Sequence, residues 1–122
     1  MAETYASIAQ WVAETFPGRG EPPTHSLRAL EEMIEICAAD GAHLTEVIDA
    51  VARQHRRCRD KGEIGRRELL GSEIAGTVIA LAGLAGKYGI DLDAEIEREM
   101  AKNRASEWDA HGDGTGHRKR AR

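Results

Sequence analysis

Residues 73–86 read EIAGTVIALAGLAG, and after Glu73 no charged side chain occurs until Lys87. A helix written this way has no polar face to turn toward water, which predicts a central, buried α-helix from about Arg67 to Tyr88. Ala75 and Ala82, like Gly76 and Gly83, recur seven residues apart. A stripe of small side chains lets another helix backbone approach, so a tight helix pair is expected. Each interior Gly costs up to about 1 kcal/mol relative to Ala, and a close contact would offset that loss.

Working outward from this segment, the pattern stays helical. Upstream, Gly62 and Gly65 interrupt the chain after a predicted helix over roughly Leu44 to Lys61. Before it, a helix from about Leu27 to Asp40 ends at Gly41 and has Thr24 or Ser26 as its cap. The run from Pro17 to Pro23, with three Pro and two Gly, separates it from a first helix over residues 4–16, whose inner side carries Ile8, Trp11, Val12 and Phe16. Downstream, Gly89 ends the apolar helix. Asp91 or Asp93 caps a last one that presents Leu92, Ile96, Met100 and Asn103 inward and reaches about Trp108. Five aromatics in 122 residues leave a core of Ala, Ile, Leu and Val, which argues against a sandwich or barrel. The expected fold is all-α, a four- to five-helix bundle-like domain over residues 1–110. The Gly-rich, basic segment 111–122 (HGDGTGHRKRAR) is expected to be a flexible tail, since it cannot bury a core of its own.

Charge narrows the function classes. The 17 Lys+Arg and 21 Asp+Glu give a net charge of -4, and four of the cations fall at Arg118, Lys119, Arg120 and Arg122. Residues 1–117 therefore set 13 cations against 21 acids. A body this acidic repels polyanions, so nucleic-acid binding is not expected. The seven basic residues between Arg53 and Arg67 have no interleaved aromatics and read as a solvated face or as partners for an acidic helix. The longest uncharged run, Ile74 to Gly86, is shorter than the roughly 20 residues that cross a bilayer, so no membrane partner is expected. The N-terminus lacks a basic then apolar leader, which places the expectation in the cytoplasm. Cys37 and Cys58 have no Cys-x-x-Cys spacing and read as reduced thiols.

Candidate chemistry lies in carboxylates. Leu30, Met33, Ile34 and Cys37 form the apolar stripe of the second helix; Glu31 and Glu35 flank its edge, and Glu32 lies one turn before Glu35 further out. Glu73 opens the apolar helix and shares a face with Thr77, Ala80 and Leu84, where an unpaired charge is costly. It needs a cation, either Arg66 or Arg67 or a divalent ion shared with the acidic helix. Mg²⁺, which takes oxygen ligands and keeps several waters, is the expected cofactor, with Mn²⁺ as a substitute.

In this order of elements the chain resembles the all-α nucleoside triphosphate pyrophosphohydrolases of the MazG-like superfamily, particularly short phage-type members. The resemblance rests on Trp11 leading into TFPG, Glu32-x-x-Glu35, the segment EIAGTVIALAGLAGKYGIDL and KNRASEW. It implies a homo-dimer or tetramer that cleaves a nucleoside triphosphate to the monophosphate and pyrophosphate. Carried onto this sequence, Glu32, Glu35 and Glu73 become catalytic metal ligands, with Glu31 or Asp93 assisting. Lys102, Asn103 and Arg104 become the phosphate and sugar contacts. Gly76 stands where the family's fourth carboxylate, an Asp, is expected, and the spacing between the motifs is longer. Trp11 is the first candidate to stack on the base, with Phe16 and Trp108 behind it. The departure at Gly76 keeps open a helical module of the same fold that binds a nucleotide or a protein without turning it over. His111 and His117 offer metal-binding nitrogens, but in the Gly-rich tail they are read as part of a disordered segment and set aside.

Overall fold

The computed structural model describes residues 2–120. Among them are helices α1 (Tyr5–Thr15), α2 (Thr24–Ala39), α3 (Leu44–Asp60), α4 (Leu70–Lys87, entered through a 3₁₀ turn at Arg67–Leu69) and α5 (Leu92–Ala105), then strands β1 (Trp108–Ala110) and β2 (Gly116–Arg118). The protein is mostly helical, as the pattern predicts. The helix stops are glycine-coded. After α2, Gly41 takes φ +89°; its N–H donates to the Ala38 carbonyl (3.1 Å) and the Ala42 N–H donates to that of Cys37 (2.9 Å). The same paired closure follows α3 at Gly62 and α4 at Gly89, satisfying carbonyls that the helix leaves open. Asp91 caps α5, accepting from the Ala94 N–H at 3.1 Å. Thr4 and Ser7 cap α1 reciprocally. The expected cap of α2 is not formed. Thr24 is already helical, and its hydroxyl donates back to the Glu21 carbonyl. The helix starts earlier than expected because the prolines before it need no N–H partner.

The chain divides into two compact units, one running to His25 and resuming at Ile79, the other spanning Ser26–Val78. In the first unit the buried hydrophobic side chains are Met100 (5% exposed) and Ala85. Leu92, Ile96 and Asn103 on the same face of α5 are half-buried, as their spacing predicts. Trp11, Phe16 and Trp108 meet edge to face, with centroids 5.3–5.8 Å apart. Such rings gain from edge-to-face contact beyond the area they bury.

The C-terminal expectation needs correction. Residues 108–118 form a hairpin across the anticipated boundary at 110, with Trp108 opposite Arg118, Asp109 opposite His117 and Ala110 opposite Gly116. The last helix accordingly ends at Ala105 rather than at Trp108. The hairpin holds without aliphatic residues because backbone does the packing. Gly114 is buried, and its N–H donates to the Pro17 carbonyl at 3.1 Å. Arg118 lies over the Trp108 ring at 5.1 Å and donates to the Asn103 side-chain oxygen at 3.0 Å.

A second tie joins the start of the chain to α5. Arg104 donates to both carboxylate oxygens of Glu3, at 2.7 and 3.1 Å. The Glu3 backbone N–H donates to Glu97, and Ser7 donates to the Glu3 carboxylate at 2.6 Å. The Arg104 hydrogen bonds, then that from Ser7, hold the Glu3 carboxyl below the ordinary glutamate range. A lowered carboxylate pKa contributes stability above the unfolded-state value and loses it as pH falls through the folded one. The melting-temperature gap between wild type and Glu3→Gln is therefore expected to be constant at neutral pH and to close as pH drops below about 4.3. A gap that persists into strong acid would show that the tie does not depend on charge.

The second unit departs most from expectation. None of its residues is buried, and no two of its helical segments pack along their length. Most of α4 is exposed as well: Ile74 is 60% and Ile79 72% exposed, and Ala85 is its buried residue. A Cβ built at Gly71, Gly76, Gly83 or Gly86 meets nothing within 4 Å, so the small-residue stripe has no close partner among the described residues. The helix expected to be central and buried is an exposed one. Counted with its 3₁₀ turn, Arg67–Lys87 is also long and apolar enough by length and composition to cross a bilayer, with mean hydropathy 1.6. This differs from the expectation drawn from its uncharged run, because Glu73 interrupts the run without lowering the mean far.

Candidate functional site

The carboxylates that the sequence singles out lie in one unit, on α2 and in the first turn of α4. On α2, Arg28 lies one turn before the glutamates and reaches both Glu31 (3.2 Å) and Glu32 (3.0 Å). All three side chains are solvated, so these pairs contribute little to stability. Glu35 and Glu73 make no ion pair and accept no side-chain hydrogen bond among the described residues. At Glu73 the backbone carbonyl accepts from Thr77 at 3.0 Å, while its carboxylate borders an apolar groove of about 340 Å³ lined by His55, Cys58, Ile64, Arg67 and Leu70. Arg66, expected as a local cation for Glu73, turns instead to Glu68 at 2.7 Å. That contact, helped by a backbone hydrogen bond at Glu68 itself, lowers the Glu68 carboxyl.

Among the described residues no three His, Cys, Asp or Glu side chains are grouped as metal ligands. Glu32, Glu35 and Glu73 are thus not brought together around one ion within a single chain, and Gly76 adds no fourth oxygen. Asp93 lies elsewhere, with Glu3, Asp91 and Glu97 around a groove between the N-terminal residues and α5.

The residues expected to contact phosphate and base hold the first unit together. Lys102 donates to Glu99 at 2.8 Å. The Asn103 carbonyl accepts from the Trp108 indole at 2.9 Å, and its side chain accepts from Arg118. Arg104 is engaged by Glu3. Trp11 is half-buried against Phe16 and Trp108, so its ring is occupied by protein partners. His25, near the start of α2, donates from Nε2 to the Arg19 carbonyl at 2.7 Å and so fastens the preceding loop rather than capping the helix. Neither cysteine is in a disulfide.

Two arrangements escaped the sequence reading. Arg104 and Glu3 lie too far apart in sequence for any local pattern to announce their pairing. The hairpin did carry a signal, since Asp113-Gly114 between short flanking runs is a turn dipeptide. Comparison of the chain with protein-family models, with curated proteins and with solved structures gives no match.

Proposed function

We propose that the chain is one subunit of an Mg²⁺-dependent nucleoside triphosphate pyrophosphohydrolase whose carboxylate site is completed when a second copy covers the Ser26–Val78 unit. The observation that carries this reading is the pairing of unspent acids with uncovered apolar surface. Among the described residues Glu35 and Glu73 have no cation partner, and Ile34, Ile48, Val51, Ile64, Leu70 and Ile74 of the same unit are exposed. Burying such side chains is worth about 1.5–3 kcal/mol each, which favours association through these faces. Free carboxylates carried into that interface would require a counter-ion. The small-residue face of α4 suits a helix arriving from another subunit.

The reaction class is hydrolysis at the α-phosphorus: water adds, the bond to the bridging oxygen breaks, and pyrophosphate leaves with the monophosphate as co-product. Mg²⁺, when bound, supplies the charge neutralisation that a triphosphate needs. Purified protein incubated with a panel of (d)NTPs and Mg²⁺ or Mn²⁺ is expected to release pyrophosphate. Light scattering after size exclusion is expected to show a dimer or tetramer, and Ile74→Lys to shift it toward the monomer. A wild-type monomer that releases pyrophosphate would overturn the shared-site part of the proposal.

One observation favours a second reading. Gly76 leaves the second motif one carboxylate short, and no trio of ligands is grouped among the described residues. A non-catalytic helical module that binds a nucleotide or a protein partner fits those facts, and silence across the panel combined with retained nucleotide binding would select it.

A further inference from the structure

One face of the hairpin carries Asp109, His111, Thr115, His117 and Lys119. The Thr115 hydroxyl donates to Asp113 at 2.5 Å, so its oxygen accepts from His111 Nδ1 at 3.3 Å. On the other ring, His117 Nε2 faces the Asp109 carboxylate at 3.3 Å. The inner atoms, His111 Nε2 and His117 Nδ1, converge to 2.7 Å, with ring centroids 5.0 Å apart.

We infer that the His111–His117 pair is a binding site for a divalent transition-metal ion, taken up by the two converging ring nitrogens. Bonds of about 2.0–2.1 Å place two ligating nitrogens about 2.9 Å apart in an octahedral shell and about 3.3 Å apart in a tetrahedral one, so the rings need only separate by about 0.2–0.6 Å and tilt toward a common point. Both rings are exposed (His117 62%), which leaves room for that motion and for waters to complete the shell. Imidazole pairs select Zn²⁺, Ni²⁺ or Cu²⁺ over Mg²⁺. Asp109 on the far nitrogen of His117, and Thr115 on that of His111, are the outer partners that orient metal-binding histidines. Lys119, 3.7 Å from Asp109, limits the charge there. The site belongs to the hairpin alone and is independent of the proposed hydrolase.

Calorimetric titration of the full chain with Zn²⁺ or Ni²⁺ tests it, with Mg²⁺ as the negative control. Saturable binding of one ion per chain is expected. His111→Ala and His117→Ala should each weaken it at least tenfold, Asp109→Asn by about tenfold, and His43→Ala should leave it unchanged. Nitrogen-15 NMR of the histidine side chains should show the His111 Nε2 and His117 Nδ1 signals moving as the ion is added. Binding that survives both alanine variants, or the lack of saturable binding, overturns the proposal.

Discussion

Glu35→Gln is expected to cut pyrophosphate release by at least about 100-fold while leaving the helical circular dichroism unchanged. The amide keeps the shape of the side chain and removes the charge that a divalent ion requires. Glu32→Gln should behave alike, and here the structure supplies an internal control. Glu32 also pairs with Arg28 across a solvated helix face. If that pair were its purpose, Arg28→Ala would impair the protein as much as Glu32→Gln does. If Glu32 is a metal ligand, Arg28→Ala should preserve turnover, because it frees the carboxylate. Equal loss in both variants, or full turnover in Glu35→Gln, would remove these acids from the site.

The second large effect is structural. Gly114→Ala is expected to destabilise the first unit by about 2–4 kcal/mol, from a strained backbone and from overpacking. Gly114 has φ +87°, which disfavours any L side chain, and an added Cβ would lie 2.6 Å from the Gly18 carbonyl oxygen and 2.6 Å from the His25 ring. Neither neighbour can yield easily, since one is backbone and the other ring is held by Arg19. Chemical denaturation followed by tryptophan fluorescence reads the loss directly, because Trp11 and Trp108 report on the seat of the hairpin. Gly41→Ala is the contrast: its φ is similarly positive, but nothing lies within 4 Å of the added atom, so only the backbone penalty of about 1 kcal/mol applies. Similar losses at the two positions would show that the hairpin seat is loose.

These two sites also show where sequence reading succeeds and fails. Helices were legible because their information is local: Leu92, Ile96 and Met100 repeat with the turn, and Gly41 and Gly89 lie where carbonyls need a left-handed residue. The hairpin is not legible in side-chain composition, because Gly114 is buried by having no side chain. Lys102, Asn103 and Arg104 look like a basic patch because a one-dimensional view shows their charges and not their partners. Arg104 finds Glu3 at a separation of 101 residues, and Asn103 finds Arg118 at 15. For α4 the uncharged composition predicts a buried helix, but composition does not say what would cover it, and among the described residues the glycine face meets no helix. The acids on α2 were legible as an edge of the apolar stripe, yet periodicity on one helix cannot say whether a carboxylate on another approaches it.

The discontinuity of the first unit has a consequence for biogenesis. Its opening helix leaves the ribosome long before Trp108, Gly114 and Arg118 exist, so Trp11 and Phe16 must wait through the synthesis of the whole intervening unit with their rings in water. Apolar surface left open in this way favours association between unfinished chains. A polypeptide truncated before Trp108 would have most of its helices encoded but its aromatic cluster unclosed.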